Sequence, residues 1–131
     1  MTAALTPALA LAYIRELSAD YLAGVVLDGR GERLAGDAAL AALARTVRGD
    51  GATSHGKVFA ARTAAHAIVV VTGPLALPRP IRRDLRTALS ALSRETMQET
   101  PPEPVPDALV NALVSAARDT FRRQSVNSRS D

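Results

Sequence analysis

The apolar positions change their spacing several times along the chain, and each change marks an element. After Thr6-Pro7, the residues Leu9, Tyr13, Ile14 and Leu17 follow the spacing of one helical face. Thr6 is a good N-cap, and Pro7 suits the first helical position, where its missing N–H costs nothing. Asp20 ends this helix. From Tyr21 the period changes. "YLAGVVLD" is apolar and β-branched, and "ERLAGD" returns as a shorter strand. Between them, Asp28, Gly29, Arg30 and Gly31 tolerate the positive φ of a turn, so the stretch predicts a hairpin.

Asp37 then caps a helix over "AALAALARTVRG", with Leu40, Leu43 and Val47 in helical spacing and Gly49 as its stop. "GDGATSHG" reads as a loop. "KVFAART" and "HAIVVVTG" read as two more strands, and the second is apolar on both faces, as a central strand is. Pro80 opens a helix with Ile81, Leu85, Ala88, Leu89 and Leu92 on one side. Arg79, Arg82, Arg83 and Arg86 line much of the remainder. Residues 99–106 hold four prolines, which no helix or central strand survives, so they predict a stiff linker. Asp107 caps a last helix over residues 107–124, with Leu109, Val110, Leu113, Val114, Ala117 and Phe121 as its apolar stripe. Residues 125–131 read as a frayed tail. Paired strands with intervening helices imply an α+β fold: an antiparallel sheet with packed helices, in the order α-β-β-α-β-β-α, then the tethered helix.

The 131 residues suffice for one domain with a core that needs no metal or disulfide. There is no cysteine, which excludes thiolate zinc sites, thiol nucleophiles and disulfides and accords with a reducing cytoplasm, the expected location. No stretch approaches the roughly 18 apolar residues of a membrane span. The apolar N-terminal stretch lacks a basic start and soon meets Arg15 and Glu16, so it reads as a helix, not a signal peptide. The formal charge is +3. That raises nucleic-acid binding, but the arginines are spread out and the aromatic platforms of a single-strand binder are almost lacking.

Four features in order resemble the roadblock (dynein light-chain) family, a small profilin-like domain. They are the amphipathic helix "ALAYIREL", the hairpin "AGVVLDGRGERLAGD", the helix "AALAALART" directly after it, and the apolar strand "HAIVVVTGP" running into "IRRDLRTALSAL". The hairpin is the most specific of the four. The resemblance implies a roadblock-like domain over residues 1–98. Members usually carry three strands between the second and third helices, whereas two are evident here. Either an edge strand is lost or the loop at residues 50–56 hides a short one. The resemblance further implies a non-enzymatic platform that forms a homodimer and binds or regulates a Ras-like small GTPase, with no cofactor and no catalytic residue to carry over.

Other chemistry finds less support. "DGRG" lacks the Gly-Lys-Ser/Thr of a phosphate loop and the spaced acids of a calcium loop, so its glycines serve the turn. His55 and His66 have no visible nucleophile or orienting carboxylate and read as structural or solvated. Arg79, Arg82, Arg83 and Arg86 read as a solvated helix face; the alternative is a basic patch for nucleic acid or an anionic surface. For self-association the expected residues are Leu40, Leu43 and Val47. For a partner they are Leu109, Leu113, Val114 and Phe121 of the last helix, whose apolar stripe must be buried against its own domain, a second protomer or a partner.

Overall fold

The computed structural model describes residues 6–18, 20–92 and 104–129, with side chains as far as Arg122. The elements are α1 (Pro7–Leu17), β1 (Tyr21–Asp28), β2 (Arg33–Gly36), α2 (Ala38–Ala44), β3 (Gly51–Ala52), β4 (Lys57–Arg62), β5 (His66–Thr72), α3 (Pro78–Leu92) and α4 (Asp107–Arg129). The five strands form one antiparallel sheet in the order β2-β1-β5-β4-β3. The fold is α+β, with helices on both faces of the sheet.

Local chemistry sets the ends of these elements. Thr6 Oγ1 accepts the Leu9 N–H at 3.2 Å and caps α1, and Asp37 Oδ1 accepts from Ala39 at 3.1 Å and caps α2. At the β1–β2 turn, Asp28 Oδ1 accepts the N–H groups of Arg30 (2.8 Å) and Glu32 (3.0 Å). Those two bonds favour the carboxylate and pull the Asp28 pKa below its ordinary value. Gly31, at φ +84°, supplies the left-handed residue that the turn needs. The "DGRG" stretch is therefore a turn.

β5 is central and buried on both faces. Ile68 and Val70 meet α1 and α3 in a layer with Ile14, Phe59, Leu85 and Leu89. Val69 and Val71 join the opposite layer, with Val25, Leu40, Val58, Val110 and Leu113 under α2 and α4. The α3 residues Ile81, Leu85, Ala88, Leu89 and Leu92 are all buried, as their spacing requires.

The structure decides one open alternative and departs from other sequence expectations. The loop at residues 50–56 hides a short strand, β3, which pairs with β4 through Gly51 and Ala52. Three strands thus lie between α2 and α3. In α1 the buried residues are Ala10, Leu11 and Ile14, while Leu9, Tyr13 and Leu17 face outward. Small Ala10 lets the helix lie close to the sheet. Helix α2 stops at Ala44, so Val47 lies beyond its end, although still buried. Arg62 donates to the Val47 carbonyl from Nε (3.2 Å) and Nη2 (2.8 Å) and holds that exit in place. Helix α3 begins at Pro78, ahead of Pro80. Helix α4 continues to Arg129, through most of the segment read as a tail.

Helix α4 is also not a tethered appendage. Val105 in the linker is buried and its N–H reaches the Asp50 carbonyl at 3.4 Å. The Asn111 side chain bonds Thr53 Oγ1 at 2.7 Å, and Arg118 donates to the His55 carbonyl at 3.0 Å. A Cβ at Gly51 would run into Val110 and Val105, and one at Gly56 into Val114, so two glycines open the space the helix fills. The remainder of the linker, residues 99–103, lies outside the described residues. No described helix is long and apolar enough to cross a membrane.

Candidate functional site

Strand β1 has eight residues and β2 only four. β2 pairs with β1 only at Val25, Val26 and Leu27. β5 pairs with β1 over its whole length, from Tyr21 to Asp28. Residues 21–24 therefore have a strand on one side alone. The cause lies in Gly36, at φ +95°, where the chain leaves the sheet and Asp37 starts α2.

The space left beside residues 21–24 is an open groove of about 760 Å³. Its walls come from α1 (Leu11, Ala12, Arg15), from the turn into α2 (Gly36, Asp37) and from the far part of α4 (Thr120, Phe121). The Asp37 carboxylate, already capping α2, also accepts a hydrogen bond from Thr120 Oγ1, which ties α4 to the groove wall. Asp20 accepts the Leu75 N–H at 2.8 Å through Oδ2. Arg33 donates to the Gly36 carbonyl at 3.1 Å. Arg15 is exposed and makes no ion pair among the described residues. Ser18 Oγ is buried with no hydrogen-bond partner. Tyr21 is partly buried, and burial pushes its phenol up to about 12, with Arg15 opposing the rise. The groove thus offers hydrogen-bond donors and an open strand edge, without a paired nucleophile and base.

The residues singled out from the sequence are scattered through the fold. Leu40 and Val47 are each 1% exposed and belong to the chain's own core beneath α4. Leu43 packs partly buried against the same core. Two of the three residues expected at a self-association face, Leu40 and Val47, are thus occupied from within the chain, and Leu43 keeps part of its surface exposed. Leu113 and Val114 are buried in that core as well, and Leu109 is partly buried against it. Of the four α4 residues expected at a partner, only Phe121, at 49% exposure, presents its side chain outward. Arg79, Arg82, Arg83 and Arg86 are exposed along α3. Arg82 is paired with Asp50, and Arg83 Nε lies 3.7 Å from the buried Asp84. His55 and His66 stand apart, in the β3–β4 turn and at the start of β5, and the buried His66 Nδ1 has no partner. No described group of three or more His, Asp or Glu could hold a metal ion.

The groove was not singled out in the sequence. One signal for it was present there: the returning strand "ERLAGD" is shorter than "YLAGVVLD", so part of one strand had to lack a neighbour. Compared with known proteins, the chain matches no family model, no curated protein and no solved structure.

Proposed function

We propose that this chain is a protein-interaction module of the roadblock type, cytoplasmic and non-catalytic, whose partner is a Ras-like small GTPase. One observation carries the reading. The third strand between α2 and α3, which the sequence hid, is present as β3. The order from α1 to α3 then agrees with the one the resemblance calls for.

Self-association belongs to the proposal with a changed surface. Leu40 and Val47 serve the chain's own core, so a dimer formed with α4 in place uses other residues. A dimer formed through α2 with α4 in place would use its exposed residues Ala38, Ala39 and Ala42. The direct test immobilises the full chain and offers it Ras-like GTPases from the source cells, loaded with GTP or with GDP. Retention that depends on the nucleotide supports the proposal. Retention no greater than on bare resin in both states overturns it. Steeply salt-dependent capture of nucleic acid instead would favour the arginine face of α3.

A further inference from the structure

The groove beside β1 has the features of a site for an added strand. An unpaired strand edge presents backbone N–H and C=O groups that template pairing with another chain, and proteins normally cover or blunt such edges. Here β2 stops at Gly36, which packs against the Gly24 carbonyl, and residues 21–24 have no strand paired on that side, where they line the groove between α1 and α4. The Ser18 hydroxyl lining the groove is buried and unpartnered, and such a group ordinarily finds a hydrogen bond.

The charged groups favour one kind of occupant. Arg15 is free of ion pairs among the described residues, and Arg33 makes a single side-chain bond, to the Gly36 carbonyl. The groove also holds two carboxylates, each of which accepts hydrogen bonds from within the chain. Asp37 bonds Ala39 and Thr120, and Asp20 bonds Leu75. Spare donor capacity lies with the guanidinium groups. Half-exposed Phe121 and partly buried Leu22 supply apolar surface for alternate side chains of an extended segment.

We propose that this groove binds an extended peptide segment of a partner protein, which adds as a strand beside residues 21–24 and places an Asp or Glu against Arg15 and Arg33. This is strand addition, in which main-chain bonds supply affinity and side-chain positions supply selectivity. The inference rests on the reading of the chain as an interaction module, but not on the partner's being a GTPase.

The test selects ligands for the full chain from a phage-displayed library of random dodecapeptides, then measures the enriched peptides in solution. Enriched sequences should be acidic, rich in β-branched residues and without a central proline. Their binding should slow amide exchange at Leu22 and Gly24. The substitution Ala12→Trp, on the exposed α1 wall, should abolish binding without loss of fold. Arg15→Glu should weaken it roughly threefold to tenfold, more at low salt. Four results would each overturn the inference: no peptide enriched over the bare support, peptides that bind Ala12→Trp as well as the parent, peptides that bind as helices, or amides at Leu22 and Gly24 left unprotected. None of these would touch the GTPase capture experiment, so the two proposals fail separately.

Discussion

At Gly36 a side chain has no room. The residue sits at φ +95°, and a Cβ would collide with the Gly24 carbonyl oxygen and Val25 Cα. Gly36→Ala should therefore destabilise the chain by more than about 1 kcal/mol in urea unfolding, since strain from positive φ adds to the clash. Next to it, Asp37 has two duties, capping α2 and holding Thr120. Asp37→Ala should cost about 1 kcal/mol for the cap, plus the link to α4. A double-mutant cycle with Thr120→Val isolates that link, with an expected coupling of about 0.5–1.5 kcal/mol. Tyr21 adds a pH dependence of known sign. Its phenol titrates near 12 in the folded chain, against 10.0 when unperturbed. The unfolded state loses this proton first, so stability is complete below pH 10.0 and falls as the pH rises towards about 12. Denaturant midpoints across that window should show the fall, and Tyr21→Phe should remove its share of it.

At the scale of elements, α4 makes the largest difference between the pattern and the fold. Its apolar stripe announced a surface that had to be covered, and the cover is the chain's own sheet and α2. Leu113 is fully buried, so Leu113→Ala should cost about 2–5 kcal/mol, read from the shift in urea midpoint. Arg82→Ala, by contrast, should change stability by less than about 1 kcal/mol, because its pair with Asp50 is exposed. Helix α1 shows why a pattern can name an element yet miss its orientation. In "PALALAYIREL" nearly every position before Arg15 is apolar, so two stripes compete. The sheet took Ala10, Leu11 and Ile14, whose mix of small and large side chains fits a close approach. Asp84, 4% exposed amid the apolar residues of α3, broke the expected pattern in the other direction.

For the whole molecule, the sheet with two helices on each face leaves little choice about what a shortened chain would do. A version ending at Gln98 loses α4 and uncovers Leu40, Val47, Val58 and Val69 together. It should self-associate or precipitate, with a higher mass by light scattering than the full chain at equal concentration. An unchanged mass with the fold retained would show that the α2 face tolerates exposure, and α4 would lose its assigned role. The same comparison bears on the proposed dimer, because the shortened chain also frees the α2 side chains that α4 covers.

The sequence by itself determined where three of the four described helices begin, through Thr6 and Pro7, Asp37, and Asp107. It determined that "HAIVVVT" would be buried on both faces, that α3 would bury Ile81 through Leu92 at helical spacing, and that "DGRG" would be a turn. These properties depend on residues a few positions apart, where period and capping act. The tertiary structure alone decided which stripe of α1 turns inward, that two residues at 51 and 52 form an edge strand, and that α4 closes the face over α2. It also decided that residues 21–24, paired with β5 on one side, lack a strand on the other and line a groove. Each depends on partners far apart in the chain: Thr53 with Asn111, Asp37 with Thr120, Asp20 with Leu75. Such pairs exist only after the sheet has brought distant segments together, and no local period encodes them.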